Sequence, residues 1–173
     1  MTLAAIGRSI QDVAVFTAVR ESAYVYPIVL STHLACIAVF GGLIVVTNLR
    51  LLGWVLAEVP ADALILSLRP WKQAGFVLMV TCGVLLGASK AEEYLANPFF
   101  LTKIALLAGV GLHGVYFGRT VYRRDDRLIS PSAARTAAVI SLILWIGVVS
   151  MGRWIAYYDP PSPLEQQSSR PAP

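Results

Sequence analysis

The chain has 173 residues, of which 57% are apolar and 14% are charged, and its mean hydropathy is +0.67. This balance lies outside the usual range of a globular domain and argues against a soluble protein. The formal charge of +4 would suit a nucleic-acid-binding protein, but the charges are confined to short segments between long apolar runs, so we expect no nucleic acid partner.

Four stretches of the chain contain no Lys, Arg, Asp or Glu. They are 22–49, 73–89, 104–118 and 136–152. Because about 20 apolar residues span the hydrocarbon layer, each stretch and its apolar flanks predict one crossing. The expected fold class is an all-α integral membrane four-helix bundle over 22–158 that contacts the lipid bilayer directly. The predicted spans are about 24–48, 71–89, 99–122 and 137–157.

Both ends of the chain differ from this apolar core. Apolar residues at helical spacing near the N-terminus predict an interfacial amphipathic helix over 1–21. They are Leu3, Ile6, Ile10, Val13 and Phe16. A polar lead-in without a helix is the alternative. The segment 159–173 is rich in Pro, Ser and Gln, which predicts a disordered tail.

The basic residues predict an orientation for the bundle. The segments 50–72 and 119–135 contain eight Lys and Arg, against six on the opposite side. Five of the eight lie in one short segment next to span ends, where the positive-inside bias acts most strongly. We therefore expect 50–72 and 119–135 in the cytoplasm and both termini outside.

Several short motifs resemble those of a known family. They are the segment 20–27, His33-Leu34, the segment 48–53, Pro70-Trp71, the segment 94–103 and the segment 152–157. On these motifs the chain resembles a bacterial family of small four-span membrane proteins known only as a domain of unknown function. The resemblance implies a multi-pass protein of the bacterial cytoplasmic (inner) membrane and no particular activity. Asn48 stands where that family favours Asp, and His113 where it often has Asn.

The candidate functional residues are two histidines deep in the spans, since ionisable groups in a membrane usually have a function. His33 and His113 lie on the first and third spans, which are diagonal partners in an up-down bundle. Paired imidazoles on such helices hold iron in b-type haem proteins, so both are candidate metal and cofactor ligands. Their predicted depths differ by roughly 7 to 8 Å. The alternative is that both histidines form interhelical hydrogen bonds.

Three further groups of residues accompany the histidines. Arg153, near the outer end of the fourth span, is a candidate partner for a haem propionate, a quinone headgroup or a lipid phosphate, or else an interfacial anchor. Lys103 is expected to direct its ammonium back to the headgroups. Glycines on the third span predict a face in close helix contact or with room for a porphyrin. They are Gly109, Gly111, Gly114 and Gly118.

Two classes of function follow from these features. One is an electron-transfer protein or subunit of a membrane redox complex that binds b-type haem or contacts quinone through His33, His113 and Arg153. The other is a non-catalytic subunit or scaffold that docks a larger membrane complex. The sequence contains no phosphate loop, nucleophile elbow, zinc spacing or paired intramembrane carboxylates, which favours a subunit or electron carrier over an enzyme.

Overall fold

The computed structural model describes residues 2–122 and 131–158, and these ranges are helical with short connections. The expected cytoplasmic basic cluster at 123–127 and the expected disordered tail at 159–173 lie outside the described residues. The helices are α1 Leu3–Gln11, α2 Ala14–Glu21, α3 Val25–Leu52, α4 Ala61–Ser89, α5 Ala91–Leu95, α6 Pro98–Tyr122 and α7 Pro131–Ile155.

Four of the described helices, α3, α4, α6 and α7, are long and apolar enough to cross a bilayer. The predicted all-α fold with four spans is therefore confirmed, and the chain is a multi-pass membrane protein. Large apolar side chains stay exposed along these helices, among them Val39 on α3, Val77 on α4 and Leu112 on α6. In a bilayer such positions face lipid.

The connection between the first two spans is shorter than the sequence predicted. The second span was expected from residue 71, but α4 begins at Ala61 and contains Pro70. The connection is therefore only 53–60. It begins at Gly53, whose positive φ of 82° ends α3. Arg50 stabilises the connection by donating to the carbonyls of Val59 at 2.6 Å and Ala57 at 3.3 Å.

The N-terminal segment forms two short helices instead of one. The helices α1 and α2 are interrupted at Asp12 and Val13. The helix α1 packs against α5, and at Gly7 the two backbones approach so closely that a Cβ would lie 2.6 Å from the Cα of Glu92. Arg8 donates to the Glu92 carboxylate at 2.6 Å across the same contact.

The four spans are packed unevenly. The helix α3 packs against α4 and α7, and α6 packs against α7. Among the described residues, no Cα of α6 lies within 8 Å of a Cα of α3 or α4. The helices α3 and α6 are thus diagonal, as expected. Between α4 and α6, contact is made by side chains alone. One of them is Phe100, whose ring would lie 3.7 Å from a Cβ at position 87.

The core occupies the middle of the bundle. It consists of Phe40 on α3, Met79 on α4, and Trp145 and Val148 on α7. The rings of Phe40 and Trp145 pack edge to face with centroids 5.6 Å apart. This core separates the polar groups near the two ends of the bundle.

Candidate functional site near the α5 end of the bundle

The α5 end of the bundle is the end where α3 and α6 begin and where α4 and α7 finish. Buried Asn97 fixes the geometry there, because its Oδ1 accepts from the Phe99 backbone N–H at 2.9 Å and its Nδ2 donates to the Ile155 carbonyl at 3.3 Å. These bonds cap the start of α6 and hold it against the end of α7. Side chains early in α6 are thereby placed beside the last turns of α7.

His33 lies about two turns inside α3 and faces α4. Its Nδ1 lies 2.9 Å from the Met79 carbonyl oxygen. A carbonyl can only accept, so Nδ1 carries the hydrogen, and in the neutral ring Nε2 keeps its lone pair. Gly83 makes room for the ring, because a Cβ there would lie 3.0 Å from the His33 Cε1. The helix α4 therefore fixes both the orientation and the tautomer of His33.

Lys103 is a second polar group near the same end. It is half-buried on α6, and its stem crosses α7 at Gly152, where a Cβ would lie 3.4 Å from the Lys103 Nζ. The ammonium lies within electrostatic range of His33. Among the described residues Lys103 has no hydrogen bond or carboxylate partner. A cation in an apolar span without a counter-charge is costly unless an acceptor joins it.

Together His33 and Lys103 offer complementary hydrogen-bonding groups. The Lys103 ammonium is a donor only, whereas the Nε2 of neutral His33 is an acceptor. They come from diagonal helices: His33 lies against α4, and the stem of Lys103 lies against α7. Such a pair is suited to a small lipid-soluble molecule that carries both a carbonyl and a hydroxyl group.

The structure does not bring His113 to His33. His113 lies ten residues after Lys103 on α6, which is about 15 Å further along the helix axis. Its ring stacks on Phe117 of the same helix with centroids 6.1 Å apart. Among the described residues, α3 and α6 have no pair of Cα atoms within 8 Å, and no contact between the two histidines is found. The described residues also contain no group of three or more His, Cys, Asp or Glu placed to hold a metal ion.

Arg153 lies near the α5 end but faces away from His33. Its side chain is exposed, donates to the Tyr157 hydroxyl one turn later, and lies 4.8 Å from the centre of that ring. This self-contained pair on α7 matches the interfacial-anchor alternative. Lys103, rather than Arg153, is the cation within electrostatic range of His33.

The glycines of α6 differ in what surrounds them. A Cβ at Gly109 would meet Leu144 at 3.6 Å, whereas Gly111 and Gly114 have no neighbour within 4 Å. The expected close-contact face therefore does not include these two, which point away from α7. The side-chain environment of Gly118 lies outside the described residues. The predicted room for a porphyrin beside His113 stays a prediction.

Sequence reasoning assigned Lys103 to the headgroups rather than to a site, and it missed the glycines that accommodate the site. Gly83 and Gly152 lie on α4 and α7, each opposite a polar side chain of another helix. A glycine that faces a polar side chain of another helix gives no periodic pattern in the sequence, because the contact depends on which helices are neighbours. The one available signal was Lys103 itself, a charge well inside an apolar segment.

The opposite end of the bundle contains another set of polar side chains. Buried Asn48 donates to the Ser141 hydroxyl at 3.0 Å, which joins α3 to α7. Lys72 donates to Thr47 at 3.4 Å, which joins α4 to α3. Each polar group is satisfied by a neighbour, so these contacts stabilise the bundle without an added ligand.

Comparison with known families places the chain. It belongs to the group described as "Family of unknown function (DUF6644)", which matches residues 19–158 and so includes all four spans. No curated protein and no solved structure gives a match. The family resemblance found in the sequence is thus confirmed, and it assigns no activity to His33 or Lys103.

Proposed function

We propose that this DUF6644 member is a subunit of a membrane redox complex that binds a quinone headgroup between His33 and Lys103. The observation that carries the proposal is the pairing of an imidazole, fixed by Met79 with Nε2 unused, and an ammonium without a counter-charge among the described residues. The protein would act in the bacterial cytoplasmic membrane, with the α5 end and both termini on the outer side.

Each group has a distinct role in this proposal. When a quinol is bound, the Lys103 ammonium donates to the oxygen of one hydroxyl group, and the Nε2 of neutral His33 accepts the hydrogen of the other hydroxyl group. Oxidation of the quinol to the quinone then releases two protons and two electrons. His33 takes one proton, the second passes to water at the membrane surface, and the electrons pass to an electron carrier on a partner subunit.

A binding measurement in lipid nanodiscs tests this function. We expect a radiolabelled short-chain quinone to bind the wild type. Lys103→Met and His33→Gln should each weaken binding by about tenfold, the usual effect of losing one charged or buried hydrogen bond. Lys72→Met and His113→Gln make the same chemical changes away from the site, so their affinity should equal that of the wild type. Equal affinities in all five proteins would refute the proposal.

A b-type haem is the second candidate ligand, because an imidazole whose Nδ1 is bound to a carbonyl is oriented like an iron ligand. His33 makes such a contact, with the Met79 carbonyl, and is the ligand in this second proposal. The absorption spectrum of protein expressed with ample haem distinguishes the ligands. A Soret band that is lost in His33→Ala and kept in His113→Ala would assign haem to His33, whereas a spectrum without the band leaves quinone as the ligand.

A further inference from the structure

A cavity with mixed charges lies on the surface of the α5 end, separate from His33 and Lys103. Its volume is about 340 Å³, and it is lined by Gln11, Arg20, Lys90, Glu92 and Glu93. These residues come from α1, α2, α5 and the short joint before α5. Two cations and two carboxylates thus surround one space at the end of a membrane span.

The walls of the cavity are held in place by hydrogen bonds. Arg20 donates to the backbone carbonyls of Ser89 at 3.3 Å and Gln11 at 3.4 Å, which uses only part of its donor capacity. Glu92 accepts from Arg8 at 2.6 Å and from the Gln11 side chain at 3.3 Å. The Arg20 guanidinium and the Glu92 carboxylate are therefore held in place in the absence of a ligand.

The remaining two charges are freer. Lys90 and Glu93 are 3.9 Å apart at their nearest atoms, the outer limit of an ion pair, and the Glu93 side chain is 66% exposed. The Lys90 ammonium also lies 5.6 Å from the centre of the Tyr26 ring. An exposed pair at this distance contributes little to stability, so both side chains can turn toward a ligand.

The position of the cavity indicates where its ligand comes from. It lies beside Ser89, the last residue of the α4 span, and so at the depth of the lipid headgroups. The α1–α2 junction next to it exposes Ile10, Val13 and Val15, which provide an apolar surface on the same side. A headgroup in the cavity and acyl chains beside this junction would match both features.

We infer that this cavity binds a zwitterionic phospholipid headgroup that carries a primary ammonium, such as phosphoethanolamine. The phosphate pairs with Arg20 and Lys90, and the ammonium donates to Glu92 and Glu93. An anionic headgroup without an ammonium leaves Glu93 unpaired, because Lys90 turns to the phosphate while Arg8 stays with Glu92. A quaternary ammonium has no N–H to donate to either carboxylate.

Delipidated full-length protein, titrated with single lipids while thermal unfolding is followed, tests this site. We expect dioleoyl phosphatidylethanolamine to raise Tm more than the phosphatidylglycerol and phosphatidylcholine analogues do, because a ligand stabilises the state that binds it. Glu93→Gln and Lys90→Gln should each lower the affinity for phosphatidylethanolamine about fivefold. Asp12→Asn removes an exposed carboxylate from the same surface but not from the cavity, so it should keep the preference.

The outcomes separate the sources of the headgroup. If glycerophosphoethanolamine alone raises Tm as much as the intact lipid, the cavity still recognises this zwitterion, but as a water-soluble ligand. If the three lipids are equivalent in the wild type, or if Glu93→Gln and Lys90→Gln keep the full preference, the assignment is wrong.

Discussion

Trp145 shows how a single glycine sets the spacing of two spans. A Cβ at Gly41 would lie 2.8 Å from the Trp145 Nε1, whereas a Cβ at neighbouring Gly42 would meet nothing within 4 Å. The indole is rigid and is also held against Phe40, so it cannot move aside easily. The contact between α3 and α7 therefore depends on the absence of a side chain at position 41.

This contrast gives a matched pair of variants. We expect Gly41→Ala to destabilise the bundle by about 1–3 kcal/mol, the usual cost of overpacking. Gly42→Ala should be neutral or slightly stabilising, because alanine favours a helix over glycine. Thermal unfolding in the same detergent measures both. Equal losses of Tm in the two variants would contradict this packing.

Tyr94 links α5 to α3 and α6 outside the spans. It stacks on Phe100 with centroids 5.2 Å apart, and its hydroxyl interacts electrostatically with that of Tyr26. Burial, followed by the interaction with Tyr26, raises the pKa of the Tyr94 hydroxyl above its ordinary value. The folded protein thus favours the neutral phenol, and this contribution to stability is present below the unfolded pKa of about 10 and is lost as pH rises above it.

The pH dependence of unfolding tests the position of Tyr94. Tyr94→Phe should be somewhat less stable than the wild type at pH 8, by about 1 kcal/mol, because it loses the polar interaction between the two hydroxyl groups. The difference should shrink as pH rises above about 10, since phenylalanine cannot ionise. Tyr24→Phe is the control, because Tyr24 is 80% exposed. A gap between wild type and Tyr94→Phe that stays constant up to pH 11.5 would contradict a buried phenol.

At the scale of elements, α1 is attached to the bundle through α5. The contact depends on Gly7, where α1 lies against the backbone of Ala91 and Glu92, and on the Arg8–Glu92 ion pair. Any side chain at position 7 would have to displace backbone atoms rather than a flexible side chain. The close contact between α1 and α5 therefore depends on this glycine.

Hydrogen exchange of α1 tests this attachment. We expect Gly7→Ala to raise amide exchange across Leu3–Gln11 to that of a weakly attached helix, while exchange in α3 stays unchanged. Ser9→Ala changes a neighbouring exposed residue of the same helix and should exchange like the wild type. Protection of α1 in Gly7→Ala equal to that of the wild type would show that the backbones do not approach as described.

The sequence predicted the elements better than their ends or their neighbours. Runs without charges identified all four spans, because the bilayer penalises charged side chains wherever the helices pack. The same criterion placed the start of α4 ten residues late, since helices continue into the headgroup layer where charges are allowed. The packing of Gly111 could not be predicted, because the sequence of a single helix does not show which of its faces contacts another helix.

The candidate site was predictable only in part for the same reason. His33 was identifiable as a polar residue deep in a span, and the diagonal relation of α3 and α6 followed from their order. The depth difference between His33 and His113 was also visible in the sequence. The contribution of Lys103 depends on Gly152 of α7, and no feature of α6 alone indicates that contact.

At the scale of the whole molecule, the proposed orientation places the α5 end outside. A cysteine at Tyr24 should react with an impermeant maleimide in intact cells, because that residue is exposed beside the start of α3, provided Cys36 and Cys82 are replaced by alanine. A cysteine at Trp54, exposed in the 53–60 connection at the other end, should react only after lysis. The reverse labelling pattern would invert the topology and move the quinone site to the cytoplasmic half.

The central claim is that His33 and Lys103 bind one quinone between α3 and α6. Photo-crosslinking with an azidoquinone in nanodiscs, followed by peptide mapping, tests it most directly. The account predicts adducts on the first turns of α6 and on α4 near Met79–Gly83, both displaced by unlabelled quinone and strongly reduced in Lys103→Met. Adducts spread over the exposed face of α6 around Leu112, and unchanged in Lys103→Met, would contradict the claim.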